Sequence, residues 1–397
     1  MQYIKIGDLC NVSSSKRVFA RQYVDNGIPF YRQKEVIDKK NGNTIEDPIY
    51  ISESDYNIFK VKFGVPANGD LLITAVGATL GIPYFVGNEQ FYFKDGNLIW
   101  LSNFKEKLNS KFLYYWIDSS FGTQTLWNRT IGSAQPALTI DSIKKLSIPV
   151  PSKAVQDKIS TTLTTFDQII ENNNKRIKLL EQMAANLYKE WFVRFRFPGY
   201  EDIEVEEKKP RGWQVGTEEK KHLAPSIFKY DELGNIGSFV RGKNITAAKM
   251  HKGDIPVISA GLQPSGFHNA ANVYGASLTI SASGANAGYL QYYVNDIWAA
   301  DCSYYQDDAT IWFVYNMLKY LRPVISNLQC GAAQPHVYPK NINKLCVLIP
   351  TEELINKYNN FVKPYYDEIK ILNQHNQLLT KQRDMLLPRL MSGKLEV

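Results

Sequence analysis

Residues 132–151 read GSAQPALTIDSIKKLSIPVP, and residues 331–350 read GAAQPHVYPKNINKLCVLIP. The two stretches align without a gap at an offset of 199, and each ends in a short apolar run closed by a proline. Directly after each stretch the hydrophobic period changes to that of a helix. Because self-similarity at a fixed offset is typical of a repeated structural unit, we expect one domain to occur twice in this chain.

Two further matches occur in the same order along the chain. Residues 6–9 (IGDL) match residues 233–236 (LGNI) at an offset of 227, and residues 77–81 (GATLG) match residues 284–288 (GANAG) at an offset of 207. The falling offset indicates that the first copy is longer between about residues 33 and 70. Within each copy, short β-branched and aromatic runs alternate with Gly, Asn and Pro turns, which predicts β-rich domains with minor helix.

A long helix is predicted after each copy. From Ser152, a candidate N-cap, apolar residues recur at alternating steps of four and three as far as Trp191, and only Asn173 interrupts the series. We expect this helix to stop before Pro198. A helix of this length needs a partner, which the second series, beginning at Thr351, supplies.

The second helix carries two prolines and an amide in its apolar series. Pro364 lies where the register breaks and is expected to kink the helix, and Pro388 is expected to end or bend its last turn. Asn376, like Asn173, stands among apolar positions, where a buried amide can fix helix register. The alternative is that both amides face solvent or a partner subunit.

The predicted fold class is α+β, with two β-rich domains in tandem, each followed by a long helix. The predicted segments are a first β-rich domain at 1–151, a long helix at 152–197, a charged linker at 198–212, a second β-rich domain at 213–350 and a second long helix at 351–397.

Composition limits the class of protein. The chain has 397 residues, of which 44% are hydrophobic, which excludes disorder as its main state. A formal charge of +7 permits a polyanionic partner without requiring one. Four cysteines without a CxxC pair favour reduced, packed thiols and a cytoplasmic location. Neither a signal peptide nor a membrane span is expected.

Sequence motifs for catalysis are weak. Residues 237–244 nearly match a phosphate-binding loop, but Asn244 stands where a Ser or Thr would hold magnesium, so a glycine-containing turn between strands is the better interpretation. The five histidines do not form a zinc-site pattern, and the Glu206–Lys208 run fits a solvated charge cluster. We therefore predict neither a catalytic residue nor a metal site.

Binding signals are stronger, because each copy has a basic or amide-rich segment after its first strand. Arg and Lys neutralise phosphates or pair with guanine, and Asn and Gln can read adenine. The alternative is a solvated loop or, for the two Gln-Pro turns, a requirement of the fold. The candidate DNA-binding residues are Lys16, Arg17, Arg21, Arg32, Gln33, Lys34 and Gln135 in the first copy, and Arg241, Lys243, Asn244, Lys249, Lys252 and Gln334 in the second.

The chain resembles the specificity subunits of type I restriction-modification systems along essentially its whole length. The resemblance rests on the Gly-x-Ala-Gln-Pro turns leading to 148–151 (IPVP), on residues 187–192 (LYKEWF), on residues 210–213 (PRGW), and on residues 386–395 (LLPRLMSGKL). In this resemblance Trp191, Asn173 and Asn376 are candidates for helix register or partner-helix contact.

The resemblance implies a function in DNA recognition. Each β-rich domain would be a target recognition domain that reads one half of a split target in double-stranded DNA, and the two helices would pack as an antiparallel coiled coil that sets the separation of the halves. The subunit would be non-catalytic. Two methyltransferase subunits would bring S-adenosylmethionine for adenine methylation, and restriction/translocase subunits would bring ATP and magnesium chemistry.

Two other function classes remain open from the residues alone. A coiled-coil scaffold with protein- or sugar-binding domains predicts that DNA affinity, if any, does not depend on salt. A self-sufficient DNA-modifying enzyme predicts binding of S-adenosylmethionine or a metal by this chain.

Overall fold

The computed structural model describes residues 2–43, 45, 47–130, 136–208, 222–326, 328 and 335–391. The chain divides into two compact units. Unit 1 consists of Met1–Asn172 with Asn376–Val397, and unit 2 consists of Asn173–His375. Each β-rich copy thus lies in its own unit, and each unit also contains part of both long helices.

Unit 1 carries the first copy. Its strands and short helices are β1 (Gln2–Lys5), β2 (Asn11–Ser13), β3 (Tyr23–Val24), β4 (Ile28–Tyr31), α1 (Gln33–Lys40), β5 (Ile49–Ile51), α2 (Glu53–Phe63), β6 (Leu71–Thr74), β7 (Pro83–Phe85), β8 (Tyr92–Phe93), β9 (Leu98–Ser102), α3 (Ser110–Asp118), α4 (Ser120–Trp127), α5 (Ile140–Lys144) and β10 (Ser147–Val150). The first long helix, α6 (Lys153–Tyr188), follows.

Unit 2 carries the second copy. Its elements are β11 (Val205–Lys208), β12 (His222–Pro225), β13 (Lys229–Glu232), β14 (Val240–Arg241), β15 (Ile255–Ile258), β16 (Gly266–His268), β17 (Ser277–Ser281), β18 (Leu290–Tyr293), β19 (Trp298–Ala299), β20 (Cys302–Tyr305), α7 (Ile311–Tyr320), α8 (Arg322–Ser326), α9 (Pro339–Asn343) and β21 (Cys346–Ile349). The second long helix is α10 (Glu352–Met391).

The strand order confirms the duplication. One four-stranded sheet of unit 1 has the order β2-β9-β6-β7, and its counterpart in unit 2 has the order β14-β20-β17-β18. The pair β1-β10 corresponds to β13-β21, and both copies contain one parallel pair, β4-β8 and β15-β19. The predicted α+β class with two tandem β-rich domains is therefore correct.

The extra length of the first copy is helical. Helices α1 and α2 lie between β4 and β6, where the offset predicted additional residues. The corresponding part of the second copy contains the short strand β16. Ser52 caps the start of α2, because its side chain accepts a hydrogen bond from the backbone of Asp55. Gly64 ends the helix at φ 78°, a conformation that favours glycine.

The two long helices differ in how they end. Helix α6 has 36 residues, and a π-helical turn at Lys189–Val193 follows it, so the helix ends before the predicted stop at Pro198. Helix α10 has 40 residues and continues past Pro364 and Pro388 to Met391. Pro388 therefore does not end the helix.

The helices run antiparallel within unit 2. The Tyr358 hydroxyl, near the start of α10, donates a hydrogen bond of 2.9 Å to the carbonyl of Ala184, near the end of α6. Further along the pair, Arg176 and Glu368 form an ion pair at 2.7 Å. Since residue numbers rise on one helix as they fall on the other, the two chain directions oppose each other.

The cysteine prediction is correct for two residues and wrong for one. Cys10 and Cys302 are buried, and burial raises the pKa of each thiol to about 12. Cys346 is exposed, because it begins β21 on the outward-facing side of a two-stranded sheet. Cys330 lies outside the described residues.

Two segments differ from their predicted local structure. Val205–Lys208, in the segment predicted as a linker, forms strand β11 because it pairs with β12 at the start of the second copy. The stretch at 237–244, predicted as a turn, contains strand β14, an edge strand that pairs with β20. Residues 210–213 lie outside the described residues.

Candidate nucleic-acid interface

In each copy a loop follows the first strand of the four-stranded sheet, β2 in unit 1 and β14 in unit 2. This loop occupies the same place in both copies. Strand β2 pairs with β9 and strand β14 pairs with β20, and in these two ladders Ser13 and Val240, which are 227 residues apart, face Trp100 and Tyr304. The three-residue 3-10 helices in the two loops, at Ala20–Gln22 and Ala247–Lys249, keep the same offset. Lys16 and Lys243 are therefore structural equivalents.

An aromatic side chain fixes the backbone of each of these loops. In unit 1 the backbone N–H of Lys16 donates to the hydroxyl of Tyr92 at 2.9 Å. In unit 2 the indole N–H of Trp298 donates to the carbonyl of Lys243 at 2.8 Å. Tyr92 and Trp298 are at matching positions, since each begins the strand that pairs in parallel with β4 or β15. Both lysine side chains remain exposed.

The other cations of the first loop have partners within unit 1. Arg17 forms an ion pair of 2.9 Å with Asp95, while two thirds of its side chain stays exposed. The guanidinium of Arg21 lies 5.5 Å from the ring centroid of Phe19, which is itself 53% exposed. This surface therefore combines positive charge with an exposed aromatic ring, a combination suited to nucleic acid.

Helix α2 adds residues to this surface that sequence reasoning missed. The ammonium of Lys16 lies 5.6 Å from the ring centroid of Phe63, at the end of α2, and Phe63 is 49% exposed. Lys60 and Lys62 are exposed on the same helix. The alternation of lysine and apolar residues at 60–63 was a possible signal, but the second copy has no matching segment that would have drawn attention to it.

Arg32 and Gln33 are half-buried, and both bond to groups of their own unit. Arg32 precedes α1 and binds Glu35 through two guanidinium nitrogens. The hydrogen bond to Glu35 raises the pKa of Arg32, and although burial opposes the shift, the bonds from Arg32 lower the pKa of Glu35. The side-chain amide of Gln33 donates to the carbonyl of Val76 at 2.9 Å and to the hydroxyl of Thr79 at 2.6 Å. Contact with DNA through the same donor atoms would replace these bonds.

The remaining basic and amide candidates are exposed on the surface of their own units. They are Lys34 in unit 1, and Lys243, Asn244, Lys249 and Lys252 in unit 2.

Arg241 in unit 2 belongs to a polar chain of three side chains. Its guanidinium forms an ion pair with one carboxylate oxygen of Asp301, and the other oxygen of Asp301 accepts a 2.5 Å hydrogen bond from Ser283. Ser283 precedes the glycine-rich loop 284–288. Asp301 and Ser283 were not predicted as site residues, because their link to Arg241 depends on contacts between segments distant in sequence.

The glycine-rich loop of each unit contacts the end of its Gln-Pro turn. The backbone N–H of Gly77 donates to the carbonyl of Pro136 at 3.0 Å, and that of Gly284 donates to the carbonyl of Pro335 at 3.1 Å. Gln135 and Gln334 themselves lie outside the described residues. The glycine-rich loop of unit 1 thus bonds Pro136 and lies beside the bonds of Gln33. The loop of unit 2 bonds Pro335 and follows Ser283, which links to Arg241 through Asp301.

The candidate helix residues are placed as follows. Asn173 is buried, with 6% of its surface exposed, which excludes the solvent-facing alternative for this amide. Asn376 is half-buried. The ring of Trp191 packs against Tyr358 and Phe361 of α10, with centroid distances of 5.8 and 6.2 Å. Trp191 therefore contacts the other long helix within unit 2.

The described part of the chain shows neither a metal-site cluster nor a membrane-spanning helix. No group of three or more His, Cys, Asp or Glu side chains there has the arrangement of a metal site. Among the described helices, none is both long and apolar enough to cross a membrane.

Known proteins resemble this chain over most of its length. A type I restriction enzyme MjaIX specificity subunit from Methanocaldococcus jannaschii is 28% identical over 310 residues, which cover 74% of this chain and 71% of the relative. A type I restriction enzyme HindI specificity subunit from Haemophilus influenzae is 23% identical over 336 residues, covering 66% of this chain and 71% of the relative.

A solved structure shares the fold. The crystal structure of the type I restriction-modification system S subunit from M. genitalium matches with a TM-score of 0.58 and 18% identity, covering 98% of this chain and 95% of that one. The family model of the type I restriction modification DNA specificity domain matches residues 1–182 and 225–381, one match for each copy. Because these matches together span most of the sequence, the chain belongs to the type I restriction modification DNA specificity domain family.

Proposed function

We propose that this chain is the DNA-recognition subunit of a type I restriction-modification complex, and that its two units read the two halves of a split target in double-stranded DNA. The observation that carries the proposal is the pair of equivalent basic loops at Lys16 and Lys243, each fixed by an aromatic side chain at a matching position. Two equivalent binding surfaces in one chain fit a target with two half-sites.

The chemistry of the loops fits contact with a nucleic-acid backbone. A fixed loop backbone holds exposed lysines in place without loss of further chain entropy, and phosphate contacts of this kind position a protein on DNA. Base contacts then require side chains with directional hydrogen bonds, such as the guanidinium of Arg241. The exposed rings of Phe19 and Phe63 add apolar surface that can contact bases or sugars.

Partner subunits are proposed to dock on the long helices. Both helices expose large apolar side chains. Exposed apolar surface of this kind is typical of a protein–protein contact site. On α6 these are Ile169, Leu179 and Met183, and on α10 they are Phe361, Ile371, Leu378 and Met385. We propose two methyltransferase subunits as the main partners and restriction/translocase subunits as further ones, in the cytoplasm.

Catalysis and cofactors are assigned to the partners in this proposal. The chain itself is non-catalytic, and S-adenosylmethionine, ATP and magnesium bind to the methyltransferase and restriction subunits. The sequence supports this division, since its motif for a phosphate-binding loop lacks the magnesium-binding hydroxyl at Asn244.

A genome-wide map of methylated adenine tests the proposal. The map is compared between the source cell and the same cell without this gene, with a third strain in which the gene is restored. We expect one split motif with a constant spacer to lose methylation on deletion and to regain it on restoration.

Unchanged methylation would leave DNA binding by the purified complex to decide. Binding that is independent of both sequence and salt would overturn the proposal in favour of a scaffold. Binding of S-adenosylmethionine by this chain alone would favour a self-sufficient enzyme.

A further inference from the structure

We propose that Arg241 contacts a guanine in the half-site read by unit 2, and that Asp301 is the positioning residue that aims its guanidinium. The inference rests on the proposed function and names the base chemistry of one of its two surfaces. It follows from the polar chain of Arg241, Asp301 and Ser283.

Arg241 lies at the part of unit 2 that faces solvent beside the basic loop. It ends β14, an edge strand of its four-stranded sheet, and precedes the exposed Lys243 by two residues. Its side chain is 43% exposed despite the ion pair. Among the residues that the structure describes, its guanidinium bonds Asp301, so most of its five N–H donors remain available to a ligand.

Asp301 is held from its other side. One carboxylate oxygen binds Arg241, and the second accepts from Ser283, which adjoins the loop that bonds Pro335. A carboxylate fixed by two partners restricts the rotation of the arginine side chain before DNA arrives. Such preorganisation reduces the entropy lost on binding, and this distinguishes the pair from an ordinary surface ion pair.

The equivalent positions of unit 1 carry neither charge. Ser14 stands where unit 2 has Arg241, and its hydroxyl donates to the carbonyl of Leu98 at 2.8 Å. Asn97 stands where unit 2 has Asp301. The carbonyl of Asn97 accepts from the backbone N–H of Ala75, and the carbonyl of Asp301 accepts from the backbone N–H of Ala282, which matches Ala75. The arginine and its carboxylate therefore occur together in one copy and are absent together from the other. Paired replacement of this kind fits a half-site-specific contact.

Guanine is the base that fits the arginine. In the major groove guanine presents two acceptors, O6 and N7, to the two parallel donors of a guanidinium, whereas adenine presents a donor beside its acceptor. A lysine in the same place would keep the charge but lose the fork. We therefore expect Arg241 to prefer guanine over other bases by about tenfold to a hundredfold at one position.

The experiment measures base preference in the complete complex. The chain is purified with its methyltransferase subunits, and its affinity is measured for four duplexes that differ at one candidate base pair of the half-site that unit 2 reads. We expect the wild-type complex to prefer guanine, and Arg241→Ala and Arg241→Lys to lose that preference while the other half-site stays fully discriminated. Asp301→Asn should weaken the preference at the same base pair, and Asp301→Glu should restore part of it.

Arg194→Ala is the matched control, because Arg194 is an exposed arginine in an ion pair with Glu190 of unit 2 and lies outside the basic loops. It should leave the affinity for all four duplexes unchanged. Unaltered guanine preference in both Arg241 variants would overturn the inference. So would complete loss of binding by both variants in a complex with unchanged unfolding temperature, since one base contact does not account for more than about a hundredfold.

The result separates this inference from the proposed function. A wild-type complex without any split target would contradict the proposed function itself. A wild-type complex with a split target whose bases are all discriminated normally by Arg241→Lys would contradict only the role of Arg241.

Discussion

The two units secure their long helices with the same kind of group at different places. In unit 1 the buried amide of Gln156 accepts from the backbone N–H of Asn109 and donates to the carbonyls of Lys107 and Pro151, each at 2.9 Å. In unit 2 the buried amide of Asn359 accepts from the backbone of Trp312 at 2.9 Å and donates to Asp308 at 2.8 Å. Counted from the helix start, Asn359 lies one turn further along. Each long helix thus has a buried, fully bonded amide near its start, and the position of that amide differs by one turn between the two units.

The packing around the helices differs more strongly. In unit 2 the helices meet in a cluster of aromatic rings, which includes Tyr188, Trp191, Phe192, Phe313 and Tyr358. In unit 1 the buried core residues that come from the two long helices are aliphatic or Met, namely Ile159, Leu163, Leu387, Leu390 and Met391. Large rings bury more surface each, so we expect unit 2 to depend on fewer residues.

Removal of one ring should have the largest effect. Tyr358 is fully buried, and its hydroxyl bonds Ala184. Tyr358→Ala should lower the free energy of unfolding of unit 2 by about 3–5 kcal/mol, because a large cavity opens in the ring cluster. Denaturant unfolding with hydrogen exchange, which reports each unit separately, measures the effect. Ile371→Ala, at an exposed position of the same helix, is the control. A loss below about 1 kcal/mol in Tyr358→Ala would contradict the ring cluster as the main support.

The two buried amides should have smaller and similar effects. Gln156→Ala and Asn359→Ala each leave buried backbone groups without partners, and we expect each to cost about 2–3 kcal/mol in its own unit. The exposed Gln377 provides a control, since Gln377→Ala should change stability by less than about 0.5 kcal/mol. If only one of the two substitutions lowers the stability of its unit, Gln156 and Asn359 do not have equivalent roles.

Acid should act on unit 1 through Glu89. Burial favours the neutral form, but hydrogen bonds from Lys39, Tyr84 and Tyr31 outweigh it and lower the pKa of this carboxyl. A lowered folded-state pKa means that the stabilisation is present above the ordinary pKa of a glutamate and is lost as pH falls through the folded value.

Glu89→Gln should therefore make the unfolding temperature of unit 1 less dependent on pH in the acidic range. Asp141→Asn, in an exposed ion pair with Lys145, is the matched control and should leave the profile unchanged. An identical acid profile in wild type and Glu89→Gln would show that other carboxyls govern acid unfolding.

The basic loops should give the smallest effect and the most symmetric one. Lys16→Ala and Lys243→Ala should each reduce the slope of log affinity against log salt by up to about 0.9, the value of one phosphate contact. Arg17→Ala should reduce it less, because Asp95 already neutralises part of its charge. Titration of DNA at several salt concentrations gives the slopes. A change for one lysine alone would break the equivalence of the loops.

Local sequence patterns predicted the repeat, the position of its insertion and the two long helices. The offset of 227 correctly matched Lys16 with Lys243, because no insertion separates them from the strands that set their register. The falling offsets also located the helical insertion of the first copy. Spacing of apolar residues predicted both long helices, but it did not predict the π-helical turn at Lys189–Val193, in which Trp191 and Phe192 are buried.

Contacts between distant segments were beyond sequence reasoning. Asp301 carries no local signal, and it becomes part of a site only because β14 pairs with β20. Pro388 shows the opposite case, in which a strong local signal is overridden. Leu387 and Leu390 on either side are buried in the core of unit 1, and this burial compensates for the backbone hydrogen bond that proline cannot make.

Unit 1 takes its last core residues from the far end of α10, and this has a consequence for the order of assembly. Leu387, Leu390 and Met391 pack with Ile6 and its neighbours, whereas unit 2 is one uninterrupted stretch, Asn173–His375. During synthesis all residues of unit 2 are therefore available before those of unit 1, although the first copy is made earlier than the second. Part of the apolar core of the first copy stays uncovered until Met391 has been added. Its contacts span the larger sequence separation, so it should be the slower of the two to reach its native packing and the more dependent on chaperones in the interval.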